Sequence, residues 1–241
     1  MSGTLYGVGL GPGDPDLMSV RADRLVRGTR HIAFFRKKGR AGRARAIVDG
    51  MLRADVLDYA MEYPVTTEIP LEDARYNKVL SAFYSECTSE LAAKVSAGED
   101  VAVLCEGDPF FYGSFMHVYE RLKDKVRIEV IPAITGMSAA WTATGAPVTW
   151  GDDILSTVMG TLDEATLTGA MVAADALVVM KIGRNLPKVR RALEKAGKAD
   201  RAALVQFASM DGETVCALSD YKGEELPYFS IIIVHGQGRR P

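Results

Sequence analysis

Up to about Gly145 the chain alternates short apolar runs with longer segments whose apolar residues recur every three or four positions. That is the pattern of strands joined by covering helices. "TLYGVGL" predicts a first strand, and "PDLMSVRADRLVRGT" places Leu17, Val20, Leu25 and Val26 at helical spacing with Gly28 as a stop. "HIAFF" predicts a second strand and "ARAIVDGML" a helix. "YNKVLSAFYSECTSELAAKVSAGE" predicts a long amphipathic helix closed by Gly98, and "DVAVLCEGD" a buried strand running straight into a turn. "VRIEVIPAIT" predicts one more strand, followed by the small-residue helix "GMSAAWTATG". Strands and helices in this alternation imply an open parallel sheet covered on both faces.

After "GAPVTW" the texture changes. "ILSTVMGT", "ALVVMKIG", "RAALVQFAS", "TVCALSD" and "YFSIIIVHG" are strand-like, with only two good helices between them. Pairing of "ETVCALSDYKG" with "FSIIIVHG" as an antiparallel hairpin is expected, hence a mixed sheet. The fold class is therefore α/β with two α/β domains, an N-terminal one over residues 1–147 and a C-terminal one over residues 148–241. The final "GQGRRP" reads as a frayed tail.

Composition narrows the function classes. At 241 residues, 48% hydrophobic and 25% charged, the chain can bury a proper core and is neither disordered nor collagenous. No apolar run approaches the roughly 18–20 residues of a spanning helix, so no membrane partner is expected. "MSGTLYG" lacks the features of a secretory signal, so a cytoplasmic location is expected. Cys87, Cys105 and Cys216 are odd in number and far apart, which indicates neither a disulfide framework nor a zinc site, and no protein-bound metal is expected. His31, His117 and His235 are scattered and read as ordinary histidines. A net charge of -2 gives no reason to expect a nucleic-acid partner. Charge is nonetheless uneven: Arg36, Lys37, Lys38, Arg40, Arg43 and Arg45 crowd one stretch. That run is either a solvated loop entering a helix or a cationic lip for a polyanion.

Ligands of open α/β sheets sit at the carboxyl ends of strands, and three loops there have unusual residues. In the first, Gly7, Gly9, Gly11 and Gly13 surround Pro12. A G-x-G-x-x-G fingerprint would need glycine where Pro12 or Asp14 stands, and no G-K-[ST] follows, so both phosphate-binding motifs fail. Asp14 and Asp16 add negative charge while Pro12 and Pro15 remove donors, so this loop suits close backbone approach by a ligand that is not a bare phosphate. The second loop, "CEGDPFFYGSF", combines Gly107, the Asx-turn former Asp108 and Pro109. By itself it also suits a surface turn. In the third, "IPAITGMSAA", Pro132 ends a strand, Thr135 is placed to cap a helix, and Gly136, Ser138, Ala139 and Ala140 keep side chains small, for a ligand or for helix packing.

The order "GVGLGPGDPDLMS", "EGDPFFYGS", "IPAITGMSAA", "VVMKIGRNL" and "FSIIIVHG" resembles the S-adenosylmethionine-dependent tetrapyrrole methylases over essentially the whole chain. Within that class, "LYGVGLGPGDPDLMSVRADRL" with "EYPVTTEIP" resembles the C20 methyltransferases acting on precorrin-2 or its cobalt-bearing counterpart. One departure is Ala133, where many members have glycine. The resemblance implies S-adenosylmethionine folded in a cleft between two α/β domains, a polycarboxylate tetrapyrrole substrate, and a homodimer. It places Pro12 in a cleft loop and Gly107, Asp108, Phe111, Thr135 and Gly136 near the methionine part of the cofactor. Met180, Ala208 and Ser230 match positions near the adenosine, though Met180 equally suits a buried strand. Lys37, Lys38 and Arg40 become candidates for the substrate's carboxylates. Asp14, Glu106 and Tyr112 are candidate general bases, each with a competing role as cap, turn residue or packing ring. Sister methylases and a non-catalytic nucleoside- or tetrapyrrole-binding module are the alternatives.

Overall fold

The computed structural model describes residues 2–65 and 74–239, in two compact units that divide between Thr135 and Gly136. In the first unit the chain runs β1 (Leu5–Gly9), α1 (Val20–Gly28), β2 (His31–Lys37), α2 (Arg43–Ile47), β3 (Leu57–Tyr63), α3 (Ala74–Ser96), β4 (Val101–Cys105), α4 (Phe115–Leu122) and β5 (Ile128–Ile131). The strands form one wholly parallel sheet in the order β3-β2-β4-β1-β5. Side chains alternate across it. Val101, Val103 and Cys105 of β4 pack with Leu91 of α3 and Phe115 and Val118 of α4, while Ala102 and Leu104 pack with Ala22 and Val26 of α1 and Ala44 of α2. A strand buried on both faces needs an unbroken apolar run, and β4 has one.

Strand β3 was not among the expected elements. Its sequence alternates Leu57, Tyr59, Met61 and Tyr63 with polar or small residues, a period-two signal that was legible. The parallel order reverses at the β4-β1 pair: the chain leaves β1 toward β2 and leaves β4 toward β5, in opposite directions along the sheet. Connections diverging from neighbouring strands leave a crevice at their carboxyl ends.

The second unit contains α5 (Gly136–Ala143), β6 (Leu155–Met159), α6 (Glu164–Ala173), β7 (Ala176–Met180), α7 (Leu186–Lys195), β8 (Ala202–Gln206), β9 (Thr214–Ala217) and β10 (Ser230–Val234). Its sheet is mixed, in the order β6-β7-β10-β8-β9, with β6 and β7 parallel and every other pair antiparallel. Leu167, Met171, Val189 and Leu193 of α6 and α7 cover one face against Leu177, Val179, Leu204 and Ile232. Ala140 of α5 covers the other with Val178, Val205 and Ile233. Of the small residues of α5, Ala140 thus serves helix packing on the second sheet, and the division of the chain falls ahead of this helix and not near residue 147.

Two expectations are corrected here. Segments β9 and β10 do not form a hairpin: β10 inserts between β7 and β8, and β9 pairs with β8 at the edge. Burial explains the choice, since "SIIIV" is apolar from Ile231 to Val234 and largely buried, as suits a central strand, whereas "TVCA" is largely exposed. Nor is the segment from Gly236 to Gly238 frayed. The Gly236 N–H donates to Val148 O at 2.9 Å, and Asp153 Oδ2 accepts from Trp150 N at 2.8 Å and Gly238 N at 3.3 Å.

Gly9, at the end of β1, allows close approach. A Cβ there would lie 2.6 Å from Ala133 Cβ, 2.9 Å from Gly107 O and 2.9 Å from Pro109 Cδ. Gly9→Ala is therefore expected to lower stability by about 1–3 kcal/mol, as overpacking does, read as a lower urea midpoint with unchanged slope.

Candidate active site

Because every strand of the first sheet is parallel, the loops after β1, β2, β4 and β5 share one edge. The structure brings Pro12, Asp14, Lys37, Lys38, Arg40, Glu106, Gly107, Asp108, Phe111, Tyr112 and Thr135 to that edge. The β1 and β4 loops are joined by main-chain bonds: Leu10 N–H donates to Cys105 O at 2.9 Å, and Gly107 N–H to Gly11 O at 2.8 Å. Gly107 takes a φ of 68°, a left-handed conformation that glycine adopts without strain.

Asp108 ties the β4 loop to the β5 loop. Its Oδ1 accepts from Phe110 N at 2.9 Å, closing an Asx turn, and its Oδ2 accepts from Ala133 N at 3.0 Å. Pro12, in the β1 loop, is buried. Asp14 Oδ1 accepts from Asp16 N at 2.9 Å and so caps the short 3-10 turn Pro15–Leu17. Glu106 reaches the start of α2, where its carboxylate accepts the Ala44 N–H and faces Arg43. Burial pushes the Glu106 carboxyl above the ordinary glutamate range, against the pull of Arg43 and that N–H. Burial likewise raises the Cys105 thiol far from thiolate formation.

Tyr112 lies in the same loop as Asp108. It is half exposed, stands edge-on to Phe111 at 4.9 Å, and has a φ of 55°. A bulky residue in the left-handed region is strained, and such residues gather at functional sites. Of the basic run, Arg36 pairs with Glu62 at 2.6 Å and Arg45 with Asp58 at 3.0 Å. Lys38 and Arg40 lie exposed on a tight turn after β2, closed by Arg40 N to Lys37 O at 3.0 Å, and among the described residues neither is in an ion pair.

In the second unit, β7 and β8 both run antiparallel to β10, so their carboxyl ends share an edge with its start. Met180, Ala208 and Ser230 meet there; Ser230 is paired in register with Gln206, and Met180 and Ala208 pack on the α5 side of the sheet. Gly136 opens α5, and a Cβ there would make only ordinary contact with Ile231. Sequence reasoning missed three neighbours on this edge. Lys181, Phe207 and Ser209 are left-handed, with φ of 51°, 54° and 55°. The hydroxyls of Ser209 and Ser230 are buried without a hydrogen-bond partner. No motif marks non-glycine residues of this kind. The stretch "EYPVTTEIP" lies only partly in view, since Thr66 to Pro70 are outside the described residues.

A doubly wound α/β unit with convergent loops at its strand-order reversal, followed by a mixed-sheet α/β unit, defines the class. The chain belongs to the tetrapyrrole (corrin/porphyrin) methylases, whose family model matches residues 4–219. It is 45% identical over 239 residues to a precorrin-2 C(20)-methyltransferase of Sinorhizobium sp, covering 99% of this chain and 98% of that protein. It is 28% identical to the cobalt-precorrin-2 C(20)-methyltransferase of Salmonella typhimurium, covering 98% of each. The uroporphyrin-III C-methyl transferase of Thermus thermophilus, solved with S-adenyl homocysteine, shares the fold: TM-score 0.67 at 21% identity, over 97% of this chain and 92% of that one. Among the described residues no helix is long and apolar enough to cross a membrane.

Two expectations follow from the anchored acids. Asp108→Asn replaces one acceptor oxygen with an amide facing a backbone N–H, and is expected to cost about 1–3 kcal/mol in urea unfolding, with Asp108→Ala costing more. For Glu106 the folded-state pKa is raised, so its contribution to stability is largest below about pH 4.5 and is lost as pH rises through the folded value. The melting temperature of Glu106→Gln, measured relative to the unsubstituted protein, should therefore become more favourable from pH 4 to pH 7.

Proposed function

We propose that this chain transfers a methyl group from S-adenosylmethionine to C20 of precorrin-2. The near full-length likeness to the Sinorhizobium enzyme supports the carbon, and the lower identity to the Salmonella enzyme favours the metal-free substrate over the cobalt-bearing one. The observation that carries the cofactor reading is how the backbone donors at the β1-β4-β5 edge are used. Leu10 and Gly107 bond to neighbouring carbonyls, and Phe110, Ala133, Asp16 and Ala44 bond to carboxylates. A phosphate needs such donors unspent. S-adenosylmethionine has no phosphate and two positive centres, which suit an edge lined by Asp14, Glu106 and Asp108. The buried, unpartnered Ser209 and Ser230 hydroxyls fit a ligand with polar groups at the second unit's strand ends.

When bound, S-adenosylmethionine supplies an electrophilic methyl on sulfonium. The protein's part is chiefly positioning. The backbone of Gly107–Phe111, with Pro12, Thr135 and Gly136, holds the methionine portion, and Met180, Ala208 and Ser230 are assigned to the adenosine. Asp14, Glu106 and Tyr112 are the candidates to receive the proton lost from carbon, the two carboxyl groups also accepting backbone N–H groups. Lys37, Lys38 and Arg40 receive substrate carboxylates. Assembly as a cytoplasmic homodimer belongs to the same reading.

Anaerobic incubation with S-adenosylmethionine and either precorrin-2 or cobalt-factor II, followed by mass spectrometry and NMR, tests the assignment. One added methyl at C20 of the metal-free substrate is expected; methylation elsewhere, or none, sinks it. Replacing Lys38 and Arg40 together by Gln should raise the tetrapyrrole KM about two- to tenfold and flatten its salt dependence, with the S-adenosylmethionine KM unchanged.

A further inference from the structure

The β4 loop is anchored at its front by Asp108, but its rear end has a different partner. Ser114 stands immediately before α4, where a serine hydroxyl ordinarily accepts an N–H of the first turn. It makes no such bond, and its backbone is already helical. Its hydroxyl is instead hydrogen-bonded to the hydroxyl of Tyr63, the last residue of β3. The Tyr63 hydroxyl also lies 3.3 Å from that of Tyr84 on α3. Three elements therefore meet in one cluster of hydroxyls.

Aromatic packing fixes the Tyr63 end of this cluster. Its ring stacks on Phe35 with centroids 5.5 Å apart and an interplanar angle of 22°, and lies 5.0 Å from Phe83. Tyr84 is held in turn by the ring of His117 at 4.6 Å and by the Arg121 guanidinium at 5.3 Å over its face. These rings pack on one another and on strand and helix elements, whereas the span from Pro109 to Gly113 lies in no strand or helix. Within that span Tyr112 keeps its left-handed φ of 55°. A strained residue persists only where both flanks are held. Asp108 holds one flank and the Tyr63–Ser114 bond the other.

We propose that Tyr63 is a positioning residue for S-adenosylmethionine, acting through Ser114 to fix the rear of the Gly107–Ser114 loop. The inference rests on the reading that this loop takes the methionine portion of the cofactor. It goes beyond that reading by assigning a binding contribution to a residue on β3, whose hydroxyl bonds to that of Ser114 at the rear of the loop.

Isothermal titration of S-adenosylhomocysteine into the full chain tests it, using Tyr63→Phe, Ser114→Ala, the double variant and Ser114→Thr. Tyr63→Phe keeps the ring stack and removes only the hydroxyl. Each single variant is expected to bind about three- to tenfold more weakly, the value of one hydrogen bond. The double variant should bind no more weakly than the worse single variant, and Ser114→Thr should restore affinity. In turnover assays the KM for S-adenosylmethionine should rise while that for the tetrapyrrole stays constant. Unchanged affinity in Tyr63→Phe, or additive losses in the double variant, would overturn the proposal. Failure of the unsubstituted protein to bind S-adenosylhomocysteine would instead overturn the cofactor reading beneath it.

Discussion

The first unit's candidate site depends on the two hydrogen bonds accepted by the Asp108 carboxylate. Phe110 N–H and Ala133 N–H belong to loops after different strands, and one side chain closes both. This tether joins the β4 and β5 loops as the main-chain bridge between Gly11 and Gly107 joins those of β1 and β4. It also explains the glycine at the end of β1. Drawing the β5 loop toward Asp108 brings Ala133 and Pro109 against Gly9, where no side chain fits. A charged anchor, a proline turn and a glycine contact are thus one packing solution.

The second unit reaches its strand-end site by another route. A parallel sheet gathers loops at one edge automatically, but a mixed sheet does so only where directions agree. Inserting β10 between β7 and β8 achieves this, because two strands of like direction then flank one of opposite direction. The edge combines left-handed Lys181, Phe207 and Ser209 with buried hydroxyls that lack partners. Strain and unmet polarity both cost stability, and their coincidence at one edge supports the proposed placement of the cofactor's adenosine there.

Most elements were legible because their hydrophobic signals are strong, as in the unbroken "VAVLC" of β4 and "ALVV" of β7. Pairing was less so. Nothing local in "TVCA" or "SIIIV" says which strand lies between β7 and β8; relative burial does, and burial is a tertiary property. The site loops could be found from glycine and proline, which impose backbone geometry visible in sequence. The roles of the acids could not. Asp14 and Glu106, candidate bases, and Asp108, expected near the cofactor, look alike as loop acids, and only the backbone donors that fold against them reveal a cap, a bridge to α2 and a loop tether. Tyr63 was hidden for the same reason, its partner Ser114 lying 51 positions away in the chain.

Charge along the carboxyl edge of the first sheet follows strand order. Loops after β4 and β1, at the reversal, have Glu106, Asp108 and Asp14 and spend their N–H groups internally, so this part accepts hydrogen bonds and positive charge more readily than anions. The turn after β2 presents Lys38 and Arg40 to solvent, on the far side of β4 from β1. Arg43 stands between the two regions, facing Glu106. Parallel strands fix this spacing, because each loop leaves from its own strand and neighbouring strands are about 4.8 Å apart. An anion drawn to the basic turn is therefore kept from the acidic crevice, and a cation in the crevice is kept from the basic turn. On the proposed reading, in which the crevice takes the sulfonium donor and the basic turn the polycarboxylate acceptor, that separation would orient both reactants before any contact with the reacting carbon.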